Sequence, residues 1–127
     1  MGTFRVPVEI GDPAGQRFER VDALVDTGAM FSVFPTAQLE RLGVTPHDKE
    51  RLIIGDGRSI EVELGQTWLR VDGKSEMTIV VFGDERLGPV LGAYALEGLQ
   101  LAVDAANKRL IPLEGLWPSL MDPRQFP

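Results

Sequence analysis

Apolar and polar residues alternate along many short segments of this chain, as expected for strands with one buried face. Runs rich in Gly, Asp, Pro and Asn separate these segments, and such runs are typical of turns. The segments are FRVPVEI, RVDALV, FSVF, RLII, SIEVELG, TWLRV, SEMTIVVF, LQLAV and KRLIPL. The pattern predicts a mostly β domain.

Two stretches read as short helices, and one turn is well defined. The first stretch is TAQLERLG at 36–43, where Thr36 can act as N-cap and Gly43 as the C-terminal stop. The second is AYALEGL at 93–99. Asp72-Gly73 lies between the alternating segments TWLRV and SEMTIVVF, and this dipeptide favours a type I′ turn. A hairpin is therefore expected over 67–82.

Length and composition indicate one globular domain. The chain has 127 residues, and we expect the domain at 1–115, followed by a C-terminal extension at 116–127 that is extended and docked by Leu116 and Trp117.

A formal net charge of −6 with no basic cluster argues against a nucleic-acid partner. No apolar run approaches the ~20 residues of a membrane-spanning helix, so no membrane partner is expected and a cytoplasmic location is the default. The sequence contains no Cys, which excludes thiol nucleophiles and thiolate metal sites.

The stretch DALVDTGAMFSVFP places a carboxylate, Asp26, directly after a strand-like run. Asp26 could be a helix N-cap or part of a turn, because Asp and Gly serve in both. The residues that follow are aromatic and β-branched, which favours a second strand over a helix. A tight loop between two strands would hold a polar side chain at a rigid point.

These residues resemble the retropepsin-like aspartic proteases, in particular their small prokaryotic members. The matching parts, in family order, are ALVDTGA, TAQLERLGV, LIIGDGRSIEVELG and PVLGAYALEGLQLAVDAANKRLIP. The resemblance implies a closed β-barrel subunit with a flap hairpin and one or two short helices. It also implies an aspartic endopeptidase that hydrolyses extended peptides or unfolded protein segments, works as a homodimer and needs no cofactor or metal.

In that family two carboxylates, one from each subunit, activate a water molecule. One carboxylate takes a proton from the water, and the other donates a proton to the carbonyl oxygen of the substrate. Carboxylates about 3 Å apart cannot both be ionised, so acid and base coexist in one site. The resemblance gives this catalytic role to Asp26.

The resemblance also assigns roles around Asp26. Thr27 would hydrogen-bond across the dimer axis, and Gly28 and Ala29 would let the backbone approach the carboxylates. The flap would be Ile54, Gly55, Asp56, Gly57 and Arg58. Leu91 and Gly92 would form the scaffold behind the loop. Without the resemblance, Thr27 is an ordinary loop residue and 54–58 is a solvated turn.

Other candidates are weaker. His47 lies in a polar loop and is expected at the surface, and Asp104 precedes a turn that would use it structurally. Met30 stands where retroviral enzymes often have a substrate-binding acid, so that role is not transferred. Val33, Ile54 and Val90 could line substrate pockets or belong to the core.

Two alternatives to the protease function stay open. One is a catalytically silent peptide-binding or dimerisation module on the same fold. The other is an enzyme that trims its own C-terminal extension.

Overall fold

The computed structural model describes residues 3–113, which form a mostly β fold with two short helices. The prediction of a mostly β domain is confirmed. In chain order the elements are β1 (Arg5–Gly11), β2 (Phe18–Val25), β3 (Ser32–Pro35), α1 (Thr36–Arg41), β4 (Asp48–Ile53), β5 (Ser59–Val71), β6 (Lys74–Gly83), β7 (Val90–Leu91), α2 (Ala93–Gly98), β8 (Leu101–Asp104) and β9 (Arg109–Pro112). The C-terminal extension predicted at 116–127 lies outside the described residues.

Seven strands form one sheet in the order β1-β2-β7-β3-β6-β5-β4, and β1 also pairs with β5. Six strands, in the order β1, β2, β7, β3, β6 and β5, therefore form a closed cycle of hydrogen-bonded neighbours. Strand β4 pairs with β5 and extends from this cycle. Strands β8 and β9 form a separate hairpin. The core contains the fully buried apolar side chains of the sheet and of α1, the largest of which are Phe34, Ile10, Leu39, Leu42, Leu69 and Leu91.

Strand β5 is longer than the sequence indicated. The sequence suggested two strands, SIEVELG and TWLRV, whereas Ser59–Val71 is one continuous strand of 13 residues. Gly65 does not interrupt it, because Gly65 pairs with Val80. A Cβ at position 65 would lie 3.0 Å from side-chain atoms of both Phe82 and Val44. Glycine here permits close packing and does not turn the chain.

The hairpin predicted over 67–82 is confirmed, and so is its turn. Asp72 and Gly73 have φ values of 51° and 79°, and both central residues of a type I′ turn require positive φ. Val71 pairs with Lys74 on either side of the turn.

Both predicted helices are present, but the N-cap assigned to Thr36 is wrong. Thr36 is the first residue of α1, and its hydroxyl donates to the carbonyl of Gly83 at 2.9 Å. The carboxylate of Glu85 instead accepts the N–H of Ala37 at 2.9 Å. Gly43 follows the helix with φ of 79°, as expected for its C-terminal stop.

Strand β7 has only two residues, yet it joins distant parts of the sheet. Val90 and Leu91 pair in parallel with Leu24 and Val25 of β2, and Val90 also pairs with Val33 of β3. A two-residue strand is too short to produce a periodic pattern, and it was not predicted as a strand. Its position brings residues 90–92 against the loop after β2.

Glu19 on β2 holds α1 against the sheet through a polar cluster. Its carboxylate accepts hydrogen bonds from Arg41 at 2.8 and 3.1 Å and from Gln38 at 3.0 Å. The hydrogen bond from Arg41, followed by that from Gln38, lowers the pKa of Glu19 to about 2 from the usual 4.5. A carboxyl with a lowered pKa in the folded state stabilises the fold above its unfolded pKa, and this stabilisation is lost as the pH falls towards the folded pKa.

We expect Glu19→Gln to lower the free energy of unfolding at pH 7 by about 0.5–1 kcal/mol, a small value because the cluster is partly exposed to solvent. The difference from wild type should narrow as the pH falls from about 4.5 to about 2, the range in which Glu19 loses its advantage. Urea unfolding across this pH range measures it, with Glu40→Gln on the exposed side of α1 as control. An equal difference at every pH would contradict the assigned role of Glu19.

Candidate functional site

Asp26 lies half-buried, directly after the last residue of β2. Its backbone N–H donates to the carbonyl of Leu91 at 3.0 Å, and its own carbonyl accepts the N–H of Ala29 at 3.1 Å. The N–H of Gly28 donates to Oδ1 of Asp26 at 2.9 Å. The segment is thus a turn that leads into β3, and the N-cap alternative is wrong.

The hydrogen bond from Gly28 fixes one oxygen of the Asp26 carboxylate. Within residues 3–113 the other oxygen, Oδ2, has no hydrogen-bond or ion-pair partner. A Cβ on Gly28 would lie 3.1 Å from Oδ1, which is a tight contact, so the small residue at this position lets the backbone approach the carboxylate. The arrangement leaves Oδ2 available for an external proton donor or acceptor.

The start of α2 holds the other end of this loop. The N–H of Ala93 donates to the carbonyl of Ala29 at 2.8 Å, and the N–H of Tyr94 donates to the carbonyl of Met30 at 2.9 Å. Together with the bond from Asp26 to Leu91, three backbone hydrogen bonds join the loop to residues 91–94. The loop is therefore held at both ends by the same short segment.

Gly92 lies where this segment is closest to the loop. A Cβ at position 92 would lie 2.7 Å from the carbonyl carbon and oxygen of Phe31 and 2.8 Å from the carbonyl oxygen of Ala29. These atoms belong to the backbone and cannot rotate away. Leu91, the preceding residue, is fully buried. Both residues therefore lie behind the Asp26 loop, and the scaffold role expected for them stays a prediction.

Ser32 completes this contact, and the sequence analysis did not identify it. The side chain is fully buried, and its hydroxyl accepts the N–H of Gly92 at 3.0 Å. That N–H would otherwise be a buried donor without a partner, which is costly. The available signal was a polar residue on the face of β3 that also carries buried Phe34.

An open pocket of about 440 Å³ borders the loop on the side of α2. It is lined by Thr27, Gly28, Met30, Ala93, Tyr94 and Glu97. Met30 is 67% exposed and Tyr94 is 47% exposed. The Tyr94 ring meets the Phe31 ring edge to face, with 6.0 Å between centroids. The sequence analysis did not identify Tyr94 or Glu97, because no local pattern distinguishes them from ordinary helix residues.

The turn of the β4–β5 hairpin contains the predicted residues 54–58. Ile54 and Arg58 close the turn, with the N–H of Ile54 donating to the carbonyl of Arg58 at 2.9 Å. Gly57 has φ of 87°, a left-handed conformation that favours glycine. Arg58 pairs with Asp56 at 2.6 Å. Within the described chain, no hydrogen bond joins this turn to the Asp26 loop.

The remaining candidates have structural surroundings. His47 is exposed. Asp104 accepts hydrogen bonds from Asn107 at 2.9 Å and from Arg109 at 3.0 Å across the β8–β9 turn, which is the structural use expected for it. Val33 and Val90 pair with each other in the sheet and are half-buried.

Residues 3–113 contain no group of three or more His, Asp or Glu side chains arranged to hold a metal ion. Neither of the helices there is long and apolar enough to cross a membrane.

We expect Gly92→Ala to destabilise the protein by about 1–3 kcal/mol, because the added methyl group must push the backbone of the Asp26 loop away. Chemical denaturation measures the change. Gly55→Ala is the matched control, since a Cβ at position 55 has no atom within 4 Å and Gly55 does not have positive φ. Equal stability of the two variants would contradict the close packing at Gly92.

Comparison with known proteins identifies the family. A family model described as aspartyl protease matches residues 6–94, more than half of the chain. Among solved structures, a retropepsin-like aspartic protease from Rickettsia conorii is similar at 20% sequence identity, covering 81% of this chain and 85% of that chain, with a TM-score of 0.49. A comparison with curated proteins found no match to this chain. The family model spans the Asp26 loop, α1, the β4–β5 hairpin and residues 90–94, and on this match the chain belongs to the aspartyl protease family.

Proposed function

We propose that this protein is an aspartic endopeptidase in which Asp26 from each of two copies of the chain forms the catalytic pair. One observation carries the proposal. The Asp26 carboxylate has one oxygen held by the N–H of Gly28 and the other without a partner in residues 3–113, on a loop tied to residues 91–94. A carboxylate held in this way keeps a fixed orientation towards a substrate.

The chemistry requires a second carboxylate close to the first. Hydrolysis of a peptide bond by this route needs one group to accept a proton from water and another to donate a proton to the carbonyl oxygen. Two carboxylates that share one proton provide both functions. The chain contains one Asp-Thr-Gly sequence, so the second copy of Asp26 is the natural partner.

The exposure of the loop supports pairing with a second copy. Thr27 and Gly28 are exposed at the tip of the turn, beside half-buried Asp26. The Thr27 hydroxyl has no hydrogen-bond partner within residues 3–113, so it is available for a hydrogen bond to the other subunit. In the proposed homodimer, Thr27 holds the two loops in register and Asp26 meets its counterpart at the twofold axis.

The β4–β5 hairpin is the proposed flap over the substrate. The face of β5 that carries buried Leu64 continues towards the turn through Val62 and Ile60, and Ile60 is 42% exposed. Leu52 of β4 pairs with Ile60 and adds to the same face, on which Glu50 lies opposite Val62. Apolar side chains that extend beyond the core in this way can cover an extended peptide and exclude water from the reacting carbonyl.

The opposite face of this hairpin carries two pairs of opposite charge and, near the turn, the exposed side chain of Ile53. Lys49 pairs with Glu63, and Arg51 pairs with Glu61, so opposite charges lie side by side across the two strands. The paired charges suit solvent, and the Leu52 and Ile60 face is the one proposed to contact the peptide. The proposed substrate is therefore an extended peptide or unfolded segment that is held as an added strand beneath the hairpin.

We expect Asp26→Asn to reduce peptide cleavage by at least about 10²–10⁴-fold, because the variant keeps the shape of the side chain and removes the proton-transfer group. Cleavage of a diverse peptide library from about pH 4 to 7 measures this loss. Asp104→Asn is the matched control, since it changes a carboxylate that serves the β8–β9 turn, and it should retain activity.

Equal loss of activity in the two variants would contradict a specific role for Asp26. If neither wild type nor Asp26→Asn cuts any peptide while both remain folded, the proposed protease activity fails. Binding of library peptides without cleavage would then support the peptide-binding module.

Mixing subunits tests the shared site directly. With substrate in large excess, adding Asp26→Asn to a fixed amount of wild type should reduce its activity, because wild-type subunits become paired with inactive ones. Light scattering should give twice the 14.0 kDa mass of one chain. Activity that stays constant as the variant is added, with a monomeric mass, would show that each chain works alone.

A further inference from the structure

The pocket beside the Asp26 loop is apolar and open. Met30 and Tyr94, its two largest apolar side chains, are 67% and 47% exposed. Exposed apolar side chains that line one pocket offer a contact site for another apolar group. Met30 provides a flexible thioether and Tyr94 an aromatic ring, and both bind other aromatic rings well.

The described chain ends close to this pocket. The N–H of Leu113 donates to the carbonyl of Gln100 at 2.9 Å, and the N–H of Gln100 donates to the carbonyl of Glu97 at 3.0 Å. Glu97 itself lines the pocket. Leu113, the last described residue, therefore lies close to Glu97 at the pocket rim.

The residues after Leu113 have the length and composition to fill the pocket. Residues 114–127 read EGLWPSLMDPRQFP, with Leu116 and Trp117 three and four positions after Leu113. Four residues of extended chain span up to about 13–14 Å, whereas the path from Gln100, which binds Leu113, to Ala93 at the far side of the pocket is about 10–11 Å along α2. Leu116 and Trp117 can therefore reach the whole pocket from Leu113.

We propose that residues 114–127 dock onto their own chain, with Leu116 and Trp117 in the pocket formed by Met30, Ala93, Tyr94 and Glu97. The Trp117 indole packs against the Tyr94 ring and the Met30 thioether, and Leu116 covers the Ala93 side of α2. The docked segment then borders the Asp26 loop, because Thr27 and Gly28 line the same pocket. The docking does not depend on catalytic turnover, so a failure to cleave peptides would not overturn it.

Fluorescence of Trp117 in the full chain tests this docking. The chain has two Trp residues, and the difference between wild type and Trp117→Phe gives the Trp117 signal with Trp68 still in place. We expect Trp117 emission at shorter wavelength, and weaker quenching by acrylamide, than in the isolated peptide 114–127. Met30→Glu should shift both properties towards the peptide values.

Leu87→Glu is the matched control, because Leu87 is 70% exposed, outside the pocket, and the substitution adds the same charge. It should leave the Trp117 signal unchanged. Tyr94→Ser is a second pocket variant and should act like Met30→Glu. Circular dichroism shows whether each variant remains folded.

Three outcomes would overturn the proposal. Trp117 in wild type could match the isolated peptide, which would mean that the segment does not dock. Leu87→Glu could act like Met30→Glu, so that the effect would be one of charge alone. Protection of Trp117 could disappear on dilution, which would make a second copy of the chain the occupant.

Discussion

The close backbone contact between the Asp26 loop and residues 91–94 is the constraint on which the site depends. Three hydrogen bonds cross this contact, and Gly92 allows the two backbones to approach because it has no Cβ. Ser32 satisfies the Gly92 N–H inside the core. A carboxylate at position 26 could be placed by many turns, but the loop that carries it is held here by a segment more than sixty residues away in the sequence.

The strand order explains how these distant residues meet. Strand β7 lies between β2 and β3 in the sheet, pairing in parallel with one and antiparallel with the other. The loop from β2 to β3 must therefore pass over the end of β7, which is where Gly92 lies. Formation of the site thus requires the long-range pairing of β7, and a local hairpin between β2 and β3 would not produce it.

The sequence was sufficient where the signal was local. Alternating residues predicted most strands, Asp72-Gly73 predicted its turn, and the Asp26 turn followed from its flanking strands. The sequence was insufficient where a residue distant in the chain determined the local structure. At the start of α1, the Glu85 carboxylate accepts the backbone N–H of Ala37, and the Thr36 hydroxyl donates to the carbonyl of Gly83. Ser32 and Tyr94 gain their roles only through packing against segments that are remote in sequence, so local patterns could not identify them.

The continuity of β5 determines how the β4–β5 hairpin can move. The strand pairs with β6 from Leu64 to Val71 and with β4 from Ser59 to Leu64, so the two regions meet at one residue. Gly65 cannot act as a hinge there, since it is paired with Val80 and packed against Phe82 and Val44. Any motion of the hairpin must therefore twist β5 along its length and carry that twist into the core sheet. The packing around Gly65 resists this twisting.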